Sequence, residues 1–429
     1  MPFLIKTHRL LLGIMLIGAV QTYAQQLYSP QIRYNTPGGL FDIDSIRTIS
    51  INFYESNYHD TLVANWYADN GKRLPAAITL SNGIVLDSVA TRYKGNSTFN
   101  VPEGLGNPKL PLNLDFNDFI SGQKLMGYKK MKLANALFDP TFAKEIAAYN
   151  IYKRYLPSPE ANLINVKVQG DLLGLYVNTE PIDKQFLTKH FDEKNGVLFK
   201  CDPIQQFGQP GPTGSSDLDW LGADSSLYFN SYSLKSDYGW NALVDLIDKL
   251  NNNPEQLDQV LNIDRVLWAF AVNMAVANLD TYNGLYQHNY YFYQTGDGLF
   301  QMIPWDVSES FLGALMGSNP DPNLLYEYDP YNGYNCWWYP LISQLISDPN
   351  SFYGQLYTAH LRTIIEESLD ANTIGNYVNQ LQNLGYSSAD ADDNKLFDMF
   401  CIDKLPLVLL RGVKKPGPNE HRRSSAYGR

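Results

Sequence analysis

The chain has 429 residues, 44% of them hydrophobic, which is enough to bury a full core and to build more than one lobe. Acidic residues outnumber basic ones by 44 to 33 and no long Lys/Arg run precedes the tail. Nucleic acid is therefore excluded as a partner, because tracking a phosphate backbone needs a concentrated basic face. Three cysteines, Cys201, Cys336 and Cys401, are too few and too scattered for a disulfide framework or a zinc site, and leave at most one bridge plus a free thiol.

Residues 1–24 have the three parts of a secretory signal: Lys6, His8 and Arg9, then an apolar run over 10–20, then Thr22-Tyr23-Ala24 with small residues at the cleavage positions. An apolar run of that length is too short to span a bilayer, which needs roughly 20 residues. Cleavage is expected after Ala24, and no later segment reads as transmembrane. The mature protein is expected to be secreted, periplasmic or at the cell surface. The 30 tyrosines fit carbohydrate contact and hydroxyl-anchored core packing equally well.

Residues 44–87 alternate apolar and polar, through Ile46, Ile49, Ile51 and Phe53, the run 61–66 and the run 76–80, with Asn82-Gly83 as a tight turn. This is hairpin chemistry and predicts antiparallel sheet. Strands are also expected at 89–94, 109–116 and 129–133, with a small polar turn at 95–98 and a looser loop at 102–108. A Gly/Asn/Ser/Thr turn of that kind can present N–H groups and hydroxyls to phosphate oxygens. Asp139-Pro140 has the form of a helix start, and the helix carries Glu145 and ends before Pro157. Strands at 163–168 and 172–177 follow, then a helix over 181–191.

The turn-rich stretch 196–237 reads as an insert or mobile loop. Helices are expected at 240–250 and 264–278, the second apolar nearly all round and so a buried spine. Residues 313–338 suit a substrate-facing loop, and 341–346, 351–367, 371–384 and 395–411 read as closing helices. The last sixteen or so residues lack apolar content and are expected to be disordered.

Between the spine and the closing helices lies ANLDTYNGLYQHNYYFYQTGDGLFQMIPWD, residues 277–306. It reads as an acid after an apolar run, a turn with His288 and Asn289, two strands about a Gly turn, and Trp305-Asp306. Two carboxylates and a carboxamide delivered from the ends of adjacent elements are a frame for a metal and a reacting oxygen.

Arg92-Tyr93-Lys94-Gly95-Asn96-Ser97, Gly174-Leu175-Tyr176 with Glu180-Pro181-Ile182-Asp183, and His288-Asn289 with Pro304-Trp305-Asp306 together resemble the spore coat protein H (CotH) kinase family, over about residues 44–411. The resemblance implies an α+β, atypical protein-kinase-like two-lobed fold, with a β-rich N-terminal lobe over 30–180, a helical C-terminal lobe over 181–411 and a disordered tail over 412–429. It also implies ATP, Mg²⁺ or Mn²⁺, and transfer of phosphate to a protein substrate. The order of elements independently matches the parts of a protein kinase.

Carried onto this chain, the resemblance makes Asp280 the catalytic Asp that orients the acceptor hydroxyl, and Asp306 the metal-binding Asp. Asn289 supplies the carboxamide between them. Lys109 is the first choice for the cation on the nucleotide phosphates, with Glu145 as its partner on the helix and Lys132 as the alternative. Arg92 and the turn Gly95, Asn96 and Ser97 would cover the phosphates, and the backbone to Glu180 would face the base. His288 orients or packs. Many family members carry a second acid two positions after Trp-Asp, where this chain has Ser308, followed by Glu309.

Two other readings use the same residues. One is a metal-dependent phosphoesterase built on Asp280, His288 and Asp306. The other is a non-catalytic coat-assembly or glycan-binding protein on a kinase-like scaffold.

Overall fold

A computed structural model describes Tyr34 and residues 37–137, 139–203, 215–311, 330–331 and 339–396. The elements below all belong to the compact unit Thr36–Arg429. The expected signal, the last closing helix beyond residue 396, the tail and nearly all of the expected loop 313–338 lie outside the described residues.

The fold is mixed α+β, with strands dominating the N-terminal part and helices gathering toward the C-terminus. Seven strands, β1 (Arg47–Phe53), β2 (Leu74–Leu80), β3 (Val85–Tyr93), β4 (Leu112–Asp115), β5 (Lys130–Ala134), β6 (Ala161–Val168) and β7 (Asp171–Thr179), close into a barrel in the order β1-β2-β3-β4-β5-β7-β6. Every pairing is antiparallel except the closing one, where β1 runs parallel to β6. The β6–β7 turn uses Gln169 at φ 53° and Gly170 at φ 96°, both left-handed as a tight hairpin turn requires.

Alternation along the strands sorts the side chains. Tyr93, Leu112, Leu114, Met131, Leu133 and Tyr176 point into the barrel and are buried there. Their neighbours point outward, and the register lines up Arg92, Asn113, Lys132 and Thr179 across β3, β4, β5 and β7 as one polar row on the outer wall.

Two helices in this half depart from the sequence reading. The run 61–66, expected as strand, lies in α1 (Tyr58–Tyr67). Leu62, Val63 and Trp66 fall on one helical face toward the barrel core, a 3.6-residue pattern that a short window confuses with alternation. The turn and loop expected over 95–108 contain α2 (Ser97–Gly104), with Pro102 inside it. The helix foreseen at Asp139-Pro140 begins later, as α3 (Lys144–Tyr152), with Asp139 accepting from the Lys144 N–H at 2.8 Å.

The chain leaves the barrel through α4 (Lys184–Phe191), capped by Asp183, and enters a second sheet of β8 (Val197–Cys201), β9 (Ser233–Leu234), β10 (Tyr290–Gln294) and β11 (Phe300–Pro304), ordered β11-β10-β8-β9. The C-terminal part is thus not wholly helical, and β8 and β9 come from the stretch read as an insert. Around the sheet lie α5 (Trp240–Asn252), α6 (Ile263–Ala275), α7 (Pro340–Leu345), α8 (Phe352–Ser368) and α9 (Ala371–Asp390). The spine α6 buries Val266, Leu267, Phe270 and Val272 among them, and α8 packs along it. Cys201 is buried with a free thiol. Among the described residues no helix is long and apolar enough to cross a membrane.

Candidate active site

Strand register in the second sheet builds one wall of the site. Cys201, Tyr290 and Pro304 stand side by side across β8, β10 and β11. Asp202 and Asn289 are the next residues along their strands, and Asp306 follows two positions past β11. All three acids or amides therefore emerge at one sheet end. Asn289 and Asp306 both sit in the left-handed region, at φ 59° and 51°, a backbone state that needs support from its surroundings and gathers at functional sites. Asp280 joins them from the loop five residues beyond α6 rather than from the helix itself. The Asn289 side-chain amide donates to the Asp280 carboxylate at 3.0 Å and to its backbone oxygen at 2.9 Å. His288 Nε2 lies 2.6 Å from the other carboxylate oxygen.

Facing this wall across a cavity of about 600 Å³ is the outer row of the barrel. Arg92, Lys94, Asn113, Lys132 and Thr179 line it, with Gly95, Asn96, Ser97 and Thr98 above and Glu145 at its inner end. Lys132 Nζ sits 3.8 Å above the Trp305 ring, a cation–π contact joining the barrel to the second sheet. The turn at 95–98 leads into the N-terminus of α2, where the first N–H groups have no partner inside the helix. Gly95 has φ 83°, and a Cβ there would run into the Thr98 hydroxyl. Asn135 ties the turn down by donating to the backbone oxygens of Thr98 and Lys109, each at 2.9 Å.

Charge is sorted within the cavity. Burial and the neighbouring Lys200 and Lys94 cations push Lys132 well below the ordinary lysine range. Burial also lowers Lys94, against the pull of Asp306 and Glu145. Among the described residues no carboxylate forms an ion pair with either lysine, and Arg92 Nε is buried without a hydrogen-bond partner. Burial and Asp306 raise Glu145 to about 7, against the hydrogen bond Thr179 donates to it at 2.6 Å and the charge of Lys94. Burial lifts Glu309 to about 7 as well; Lys144 opposes the shift, and Asp280, Asp306 and Asp139 add to it. In each group burial outweighs the opposite charges nearby.

A model of the CotH kinase protein family matches residues 91–399. The chain belongs to the CotH kinase family. A relative, inner spore coat protein H of Bacillus subtilis (strain 168), is 25% identical over 227 residues, which cover 51% of this chain and 58% of that protein. The match thus spans little more than half the length of the curated relative.

In this CotH-family chain the residues chosen from sequence divide into two groups. Asp280, Asn289, Asp306, Arg92, Gly95, Asn96, Ser97, Lys132 and Glu145 all line the one cavity. Lys109 and Glu180 do not. Lys109, expected on the phosphates, is fully buried, its ammonium 2.5 Å from Asp392 and over the rings of Phe142 and Tyr176. The cation whose charge reaches Glu145 is Lys94 instead. Glu180, expected beside the base, is buried with Glu160 and Lys189, accepting from the Glu160 N–H and from Lys189 Nζ, each at 3.1 Å. Burial, with the Glu160 charge, keeps Glu180 raised to about 7 despite Lys189.

Sequence reasoning passed over Lys94, Lys200 and Asp202, which also line the CotH-family cavity. A signal for Lys94 was present, since it directly follows β3 two positions beyond Arg92, in the same phase. Asp202 follows β8 much as Asp306 follows the run that ends in Trp305.

Proposed function

We propose that this CotH-family chain binds ATP with Mg²⁺ or Mn²⁺ and transfers the γ-phosphoryl group to a hydroxyl of a protein substrate, on a two-lobed kinase-like fold. The observation that carries the reading is the meeting of cations and carboxylates in one cavity, lined by Lys94, Lys132 and Arg92 from the barrel and by Asp306 and Glu309 from the second sheet and the turn after it. A polyphosphate would meet the first set and a divalent cation the second.

Asp306, Glu309 and the Asn289 carbonyl would offer hard oxygens to the metal. Among the described residues no group of three or more His, Cys, Asp or Glu stands ready to hold an ion, so substrate phosphates and water would have to complete its shell. When bound, the ion would neutralise charge on the phosphoryl group in flight. Lys94 and Lys132 would hold phosphate oxygens, and the turn Gly95 to Thr98 with the α2 N-terminus would cover them. Asp280 would orient the acceptor hydroxyl and take its proton as the new O–P bond forms and the β–γ bridging bond breaks, releasing ADP. Both Asp280 oxygens already accept a hydrogen bond, so the carboxylate is fixed in place for that task.

The expected secretory signal and the coat protein among the relatives point to an acceptor outside the cytoplasm, on a coat or cell surface. His288 has a carboxylate at each ring nitrogen, which weighs against its use as a metal ligand in a phosphoesterase. One observation favours the non-catalytic reading: Ser308, in place of the family's second acid, donates into Asp306 at 3.1 Å.

The deciding experiment is transfer of labelled γ-phosphate from ATP with Mn²⁺ or Mg²⁺, together with Asp280→Asn and Asp306→Asn. Loss of transfer in both variants is expected. Transfer that survives in both would overturn the assignment, and a wild-type protein with no thermal shift on ATP and metal would favour the scaffold reading.

A further inference from the structure

Asp280 sits in a loop, and its neighbours Asn289 and His288 sit in the turn before β10. None of these three is inside a regular element, yet an orienting carboxylate needs its position held to a fraction of an ångström. Asp202 is placed differently. It follows β8 directly, and β8 is hydrogen-bonded on both sides, to β10 and to β9.

Asp202 reaches His288 from the side opposite Asp280. His288 Nδ1 is 3.6 Å from Asp202, while its Nε2 is 2.6 Å from Asp280. The longer contact lies beyond hydrogen-bond distance. Asp202 is itself paired with Lys200, two residues back on β8. Lys200, Asp202, His288 and Asp280 thus form a line of contacts that runs from an inner strand of the sheet to the loop carboxylate.

We propose that Asp202 is a positioning residue for Asp280, acting through the His288 ring. This rests on the reading of Asp280 as the acceptor-side residue. Removing the Asp202 charge frees the ring to turn, and the Asp280 carboxylate loses one of the two hydrogen bonds that fix it. Lys94 and Lys132 keep their places on the barrel wall, while Lys200 is left without its carboxylate partner.

The test uses the full chain with ATP and Mn²⁺. Asp202→Asn is expected to lower kcat by about tenfold or more with KM for ATP within about twofold, the split that marks an interaction made in the transition state alone. Asp202→Glu, which keeps a charge on Lys200 and His288, is expected to recover part of the loss. Crystals of wild type and Asp202→Asn give a readout independent of turnover: the Asp280–His288 contact opens in the variant. An unchanged kcat, or an Asp280 carboxylate that stays in place, overturns the proposal. If the wild type transfers no phosphate, the functional reading fails and the crystal comparison alone decides the positioning. Should Asp202→Asn fail to fold, Asp202→Ser replaces it in both measurements.

Discussion

Lys109 and Asp392 stand 283 positions apart and meet at 2.5 Å with neither side chain exposed. Around them the chain after α9 is pinned to the barrel. Asp392 also accepts from the Leu175 N–H at 3.0 Å, and Asn394 exchanges side-chain and backbone hydrogen bonds with Asn107 and Leu173. Gly174 passes so close that a Cβ there would strike the Asp392 carboxylate. Breaking one partner of a buried pair strands the other charge, at a cost of about 3–5 kcal/mol. Lys109→Met and Asp392→Asn are each expected to lose stability of that order in urea unfolding.

On the proposed reading, ATP affinity is expected to separate the lysines. Lys132→Ala and Lys94→Ala are expected to weaken ATP binding about 10- to 100-fold, the loss of one charge-assisted contact worth about 1.5–3 kcal/mol. Lys109→Met, measured by the same calorimetric titration on the folded fraction, is expected to leave the dissociation constant unchanged. A loss there as large as that of Lys132→Ala would return Lys109 to the phosphates.

Much of this site could be read in the sequence. Asn289 and Asp306 were legible because a short hairpin between Tyr290 and Pro304 brings its two ends together, a local consequence of strand register; Asp280 came with them through the family resemblance. Arg92 and Lys132 also came from that resemblance, and strand register then sets both on the outer row of the barrel. Lys109 was not, because nothing near it in the chain reveals Asp392; its burial is decided by a partner that arrives after the last described helix. The Glu180 side chain is likewise held outside the cavity, by Glu160 twenty residues earlier and Lys189 nine residues later. The helix α1 was missed because six residues with three apolar positions fit both periods.

Gly95→Ala tests the turn over the cavity. The position has φ 83° and its Cβ would meet the Thr98 hydroxyl, so the turn has to reshape. ATP affinity is expected to fall severalfold while the unfolding free energy from urea titration moves by no more than about 1 kcal/mol, because the strain is confined to one surface turn. Equal affinity in the variant would remove the turn from the nucleotide site.

Stability should fall as pH rises in metal-free buffer. Glu145, Glu180 and Glu309 are each raised from 4.5 to about 7, chiefly by burial. Between those limits the folded chain keeps protons that the unfolded chain releases, so the unfolding free energy declines with pH. A tenfold change in proton affinity is worth about 1.4 kcal/mol, so Glu145 alone contributes a decline of about 3 kcal/mol. Urea midpoints at pH 5 and 7.5 check the slope, and Glu145→Gln is expected to flatten it. A stability that instead rises with pH in the wild type would contradict the assignment of these three acids.

The barrel closes through β1 on β6, whereas the family match begins at residue 91, inside β3. Boundaries drawn from the match would cut away β1, β2 and most of β3. A fragment trimmed in that way would leave the remnant of β3 and the whole of β6 with bare hydrogen-bonding edges and open the barrel interior to solvent, the condition under which sheets join edge to edge between molecules. The smallest piece expected to fold alone therefore starts before Arg47, well upstream of where the match to the family model begins.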